Sequence, residues 1–128
     1  MDHNYFMIID DDEDDRFFFK DALTKMPSAV KFIEANGGQE ALELLRTGEH
    51  MPHYIFLDIN MPRIDGRECL KLLKSDAKLK HIPVIMYSTS FSQESITEFH
   101  KLGASTCLKK PTDVTKLPAQ IIEVIKDL

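Results

Sequence analysis

Five short, mostly apolar runs alternate with longer stretches whose apolar residues recur every three or four positions, and this alternation constrains the chain more than any other feature. Tyr5 to Ile9, Val30 to Glu34, Tyr54 to Leu57, Val84 to Tyr87 and Ser105 to Leu108 have the length and the β-branched or aromatic content of strands. Asp14 to Met26 reads as a helix with Phe18, Phe19, Ala22, Leu23 and Met26 inward, and Pro27 stops it. Further helices are predicted at Gln39 to Arg46, Cys69 to Leu73 and Glu94 to Leu102, and in a last stretch carrying Leu117, Ile121, Val124, Ile125 and Leu128. Gly37-Gly38, Gly103 and Pro111 punctuate the series. Five strands alternating with five helices imply an α/β class, a doubly wound parallel sheet with helices on both faces, because right-handed crossovers leave few other arrangements.

A chain of 128 residues is expected to form one domain, spanning 1–128. The formal net charge of -5 and the lack of a basic stripe argue against nucleic acid as a partner. Cys69 and Cys107 form neither a disulfide framework nor a CxxC pair, which suits a reducing compartment. The start, Met1-Asp2-His3-Asn4, is not a basic region leading into an apolar one, and no later run is long enough to cross a bilayer. The expectation is a cytoplasmic protein without membrane contact. His3, His50, His53, His81 and His100 lack metal-ligand spacing and read as surface residues.

In open parallel sheets ligands bind outside the carboxyl ends of the strands. Here those ends carry Asp10 and Asp11 after the first strand, Asp58 after the third, Ser88 after the fourth, and Lys109 and Lys110 after the fifth. In the flavodoxin-like order 2-1-3-4-5 the first and third strands are neighbours, roughly 4.8 Å apart, so Asp11 and Asp58 can share a divalent cation. Mg²⁺, which seeks oxygen ligands and keeps several waters, suits such a pair of carboxylates. Lys110 lies two strand spacings from Asp58, roughly 10 Å, a gap that a long Lys stem can partly close. The rim suits phosphoryl transfer, with Asp58 as nucleophile and the metal, a hydroxyl and an ammonium on the non-bridging oxygens. The acids Asp12 to Asp15 read as a solvated helix start, Ser88 has the alternative of a plain turn hydroxyl, and Lys109 reads as a surface lysine.

Four segments in order, MIIDDDEDD, IFLDINMPRIDG, IPVIMYSTS and CLKKP, resemble the receiver domain of response regulators in two-component signalling, over essentially the whole chain. The second carries most of the resemblance, with Asp58 followed by Met61-Pro62 and Asp65-Gly66. The resemblance implies that Asp58 accepts the phosphoryl group, that Asp11 ligates Mg²⁺ directly and Asp10 through water, and that the main-chain carbonyl of Asn60 is a further ligand. It implies a switch hydroxyl at Ser88, a phosphate-pairing cation at Lys110, and a proline at Pro111 often preceded by a cis bond. The implied donor is phosphohistidine on a sensor histidine kinase or a histidine phosphotransfer protein. A stand-alone receiver would act through protein contacts, with an unidentified target, a relay partner or a phosphorylation-linked homodimer. Within the family, HIPVIMYSTS resembles small regulators paired with phytochrome-type kinases.

Two positions depart from the pattern: Cys107 stands where the family usually carries Tyr or Phe, and Thr89 where it usually carries Ala. Phe17, beside Phe18 and Phe19, reads either as an isolated edge aromatic or as a contact for a phosphotransfer domain. Two rival readings stand beside the regulator. One is a phosphoester hydrolase or phosphomutase, which the sequence Asp58-Ile59-Asn60 disfavours because it lacks a second acid at the next-but-one position. The other is a receiver that serves only as an interaction module, which the intact acids and lysine disfavour but the Cys107 departure keeps open.

Overall fold

The computed structural model describes residues 4–128. Strands β1 (Tyr5–Ile9), β2 (Lys31–Ala35), β3 (Tyr54–Leu57), β4 (Val84–Ser88) and β5 (Thr106–Lys109) alternate with helices α1 (Glu13–Thr24), α2 (Gly38–Thr47), α3 (Gly66–Ser75), α4 (Gln93–Lys101) and α5 (Leu117–Ile125). A single turn of 3-10 helix, Val114–Lys116, leads into α5. The strands form one parallel sheet in the order β2-β1-β3-β4-β5. This is the doubly wound parallel sheet that the alternation predicts, in the flavodoxin-like order.

Alternating side chains of the sheet build two cores. Met7, Ile9, Ile55, Leu57, Val84 and Met86 face α2, α3 and α4, where they meet Ala41, Leu45, Leu70, Leu73 and Phe99. Phe6, Ile8, Phe56, Ile85 and Tyr87 face α1 and α5, where they meet Phe19, Ala22, Leu23, Leu117 and Ile121. Strands covered on both faces must be apolar throughout, and all four residues of β3 are buried.

The helix starts are set locally. Asp12 caps α1 by accepting from the Asp15 amide, Asp65 caps α3 by accepting from the Glu68 amide, and Ser92 and Ser95 form a capping box on α4. Gly103, with φ of 106°, ends the α4 turn in a conformation that glycine tolerates and other residues rarely adopt.

Several expectations need correction. Phe18 does not lie in the inward stripe of α1: it is 38% exposed, and Phe19 is fully buried. Successive helical residues are turned about 100° from one another, so three phenylalanines in a row cannot all face one core. The second strand lies one residue later than predicted, because its pairing with β1 brings Ala35 opposite Ile9. Leu128 lies beyond the end of α5 and is exposed. His53 is half-buried, and its Nδ1 accepts from the Tyr5 amide at 3.1 Å, tying the start of β1 to the approach to β3. His50, His81 and His100 are exposed as expected, and His3 lies outside the described residues.

Candidate functional site

The register of the sheet brings the predicted rim together. Ile9 pairs with Leu57, so Asp10 and Asp58 leave adjacent strands side by side, and the Asp58 amide donates to the Ile9 carbonyl at 2.9 Å. Asp10 also anchors the far side of the rim, where its amide donates to the Ala35 carbonyl at 3.1 Å. Ser88 ends β4 opposite Lys109 of β5, and the Lys110 amide donates to the Ser88 carbonyl at 2.7 Å. Asp10 is 0% exposed, Asp58 6% and Ser88 2%, whereas Asp11 is exposed. Asn60 lies in the β3–α3 loop, two residues past Asp58, and its carbonyl accepts no hydrogen bond among the described residues.

Lys110 spans the gap completely. Its Nζ donates to Asp10 Oδ2 at 2.8 Å, to Asp15 Oδ2 at 2.9 Å and to Asp58 Oδ1 at 3.3 Å, and lies 5.4 Å from the centre of the Tyr87 ring. The Lys110–Pro111 peptide is trans, not cis. Lys109 is exposed, as predicted for a surface lysine. Asp12, the N-cap of α1, and Asp14, in its first turn, are exposed, but Asp15 is not a bystander, because it pairs with the site lysine. The sequence does not separate it from Asp12 and Asp14, and the direction of α1 across the sheet is what brings it to the rim. Tyr87 and Arg16 were also missed as rim residues. Arg16 donates from one guanidinium nitrogen to the Asp10 carbonyl at 2.8 Å and from Nε to Glu34 at 3.0 Å, which fixes the loop that carries Asp10.

Electrostatics follow from this crowding. Burial, and then the neighbouring Asp10 carboxylate, push the Asp58 carboxyl up to about 6 from an ordinary 3.8. Asp10 is raised as well, mainly by burial, against the lowering pull of Lys110 and the Asp12 amide. Burial alone would lower Lys110, but hydrogen bonds to Asp10 and Asp15 and the Asp58 charge override it and raise the ammonium further. Three carboxylates, Asp10, Asp15 and Asp58, thus share one ammonium, and Asp11 adds a fourth acid beside them.

The donor set suits a divalent cation. Carboxylate oxygens of Asp10, Asp11 and Asp58 lie within 4.8 Å of one another. Octahedral Mg²⁺, with its short bonds to oxygen, needs ligand oxygens roughly 3–4 Å apart, which small side-chain rotations supply. Asp11, being exposed, leaves room for the waters that Mg²⁺ retains. Ser88, buried at the end of β4, makes no side-chain hydrogen bond among the described residues, so its hydroxyl is uncommitted.

Gly66 packs against the back of this loop. Its amide donates to the Ile59 carbonyl at 2.7 Å, and a Cβ there would overlap the Asp58 carbonyl and the Ile59 Cα. The Asp65-Gly66 pair thus presses the start of α3 against the segment that carries Asp58.

The family model for the response regulator receiver domain matches residues 6–122. The polar-differentiation response regulator DivK of Brucella ovis is 36% identical over 121 residues, covering 94% of this chain and 91% of DivK. The phosphorylated cyanobacterial phytochrome response regulator RcpA is 31% identical with a TM-score of 0.84, over 98% of this chain and 92% of RcpA. The Mn(2+)-bound form of response regulator Rcp1 is 27% identical with a TM-score of 0.82, over 96% of this chain and 94% of Rcp1. With its strand order, its acidic rim and these matches in agreement, the chain belongs to the response regulator receiver domain family.

Proposed function

We propose that this chain is a single receiver domain, 1–128, that takes a phosphoryl group onto Asp58 from phosphohistidine on a sensor histidine kinase or phosphotransfer protein, with Mg²⁺ at the rim. The observation that carries this reading is the convergence of Asp58, Asp10, Asp11 and Lys110 at the carboxyl end of a parallel sheet. Two relatives support it: RcpA was crystallised phosphorylated, and Rcp1 was crystallised with Mn(2+) bound. No helix among the described residues is long and apolar enough to cross a membrane, and we place the protein in the cytoplasm.

In the transfer, an Asp58 carboxylate oxygen attacks the phosphorus of the donor. The new P–O bond forms as the P–N bond breaks, and the imidazole nitrogen keeps the bonding electrons and takes up a proton. Asp10, Asp11 and the Asn60 carbonyl would hold the cation, which supplies charge neutralisation on the phosphoryl oxygens. Lys110 contributes a positive charge where negative charge accumulates. Ser88, whose hydroxyl is uncommitted, turns to donate to a phosphoryl oxygen, and that rotation starts the conformational change read by partner proteins. The protein catalyses its own phosphorylation and dephosphorylation and turns over no separate substrate.

Exposure to acetyl phosphate and Mg²⁺, followed by intact mass measurement, tests the reading. One added phosphoryl mass in the wild type, absent in Asp58→Asn and absent with EDTA, is expected. No adduct in the wild type would leave only the interaction-module reading. Phe17, 59% exposed on α1 and set edge-on to Phe18 with ring centres 5.8 Å apart, offers an apolar contact for the donor protein. Phe17→Ala should slow transfer from a phosphohistidine protein and leave uptake from acetyl phosphate unchanged. Equal transfer rates from both donors in wild type and variant would remove Phe17 from the docking surface.

A further inference from the structure

Lys110 carries three N–H donors and no more, and in this structure three carboxylates take them. Two of those, Asp10 and Asp58, belong to the cluster whose geometry suits a cation, and the third, Asp15, does not. A bound cation draws on the Asp10 oxygens, and a phosphoryl group changes the Asp58 oxygen to which Lys110 now donates. Asp15 is then the one carboxylate whose hold on the ammonium is undisturbed by the reaction. Its placement suits that task. It stands in the first turn of α1, outside the loop that carries Asp10 and Asp11, and its own amide is fixed by donation to Asp12 Oδ1 at 3.1 Å. Its side chain has no other polar partner among the described residues, so its 2.9 Å bond to Lys110 is the only one it makes.

Resting on the phosphoacceptor reading above, we infer that Asp15 is a positioning residue, which holds the Lys110 ammonium against the phosphoryl oxygens while Asp10 is engaged by the cation and Asp58 by phosphorus. The long Lys stem alone leaves the ammonium free to swing toward solvent, and a second fixed anchor removes that freedom. Asp15 touches neither the metal cluster nor the reacting atoms, so it acts through Lys110 and not on the phosphoryl group.

The test is the rate of phosphoryl uptake from phosphoramidate, read by intact mass over a series of Mg²⁺ concentrations, with thermal melting of each variant as the control for folding. Asp15→Ala should lower the rate at saturating Mg²⁺ about tenfold, the order expected from loosening a charged group in a transfer site. The Mg²⁺ concentration giving half the maximal rate should not change. Asp15→Asn, which keeps an acceptor oxygen and loses the charge, should fall between wild type and Asp15→Ala. A saturated rate equal to or above wild type in either variant would overturn the inference, showing that Asp15 is idle or repels the anionic donor. A half-saturation point that moves together with the rate would also overturn it, by assigning Asp15 to the metal. Absence of uptake in the wild type would instead remove the phosphoacceptor reading itself.

Discussion

Ionised Asp58 is held in the folded protein at a cost. Its folded value of about 6 stands above the ordinary 3.8, so between roughly pH 4 and pH 6 the folded state keeps a proton that the unfolded chain has released. Stability attributable to this group is therefore full below the unfolded value and is lost as pH rises through the folded one, a difference on the order of 3 kcal/mol. Asn at this position imitates the protonated acid. Asp58→Asn should accordingly melt higher than wild type at pH 7.5 in EDTA, approach it as pH falls and converge with it only below the unfolded value of 3.8, and lose much of its advantage at pH 7.5 when Mg²⁺ neutralises the wild-type rim. An Asp58→Asn protein that melts at or below the wild-type temperature at pH 7.5 in EDTA would show that Lys110 fully compensates the burial. The same proton competes with the cation, so Mg²⁺ affinity should weaken as pH falls through about 6. At this scale the sequence identified the rim acids Asp10, Asp11 and Asp58 and the cation Lys110, because strand ends in a parallel sheet converge whatever the side chains between them. It did not distinguish Asp15 from Asp12 and Asp14, since all three look alike as helix-start acids and only the direction of α1 across the sheet singles one out.

Among the elements, the buried strands were the most legible and the edges the least. β1 and β3 were readable to the residue because both of their faces are covered, which leaves no room for a polar side chain inside them. β2 is an edge strand with Lys31 and Phe32 exposed, so its hydrophobic pattern has no sharp limits and its span is set by pairing with β1. The 3-10 turn before α5 also escaped notice, since the Asp113 side chain that organises it, accepting from the Thr115 amide and hydroxyl, resembles any loop acid. The joint between β3 and α3 is tighter than either element. A methyl group added at Gly66 has no free space, because backbone atoms of Asp58 and Ile59 occupy it and cannot rotate away. Gly66→Ala should cost about 1–3 kcal/mol, the usual penalty of overpacking, measurable by urea unfolding. It should also slow phosphoryl uptake, because relief of the overlap moves the Asp58 main chain. A variant with wild-type stability and uptake would mean that the start of α3 slides without disturbing the acceptor.

For the molecule as a whole, the acidic rim lies at one end of the sheet, and under the proposed function its state is read from the outside. The two cores lie on opposite faces of the sheet, and Ser88, at the end of β4, stands beside β5 in register with Lys109. Cys107 stands where the receiver pattern usually has Tyr or Phe, and a thiol cannot fill the space that a ring would. Cys107 is half-buried against the α2, α3 and α4 side of the core, paired in register with Met86, and burial raises its thiol. Cys69 is fully buried in the same core, its thiol pushed up to about 12 by burial and by Asp65. The two cysteines therefore form an internal pair of reporters, one near the path of the switch and one shielded from it. Because the thiolate is the reactive form and access controls its encounter with a reagent, Cys107 should alkylate before Cys69 in the unphosphorylated protein. If Ser88 has the proposed role, its move toward a phosphoryl group would open space beside Cys107 on the same face of the sheet, so Cys107 alkylation should accelerate severalfold while that of Cys69 stays constant. Mass-resolved alkylation with and without the phosphoryl group would read both rates in one sample. An unchanged Cys107 rate would mean that the signal leaves the rim by another route, through the β4–α4 loop that carries Thr89 and the half-buried Phe91.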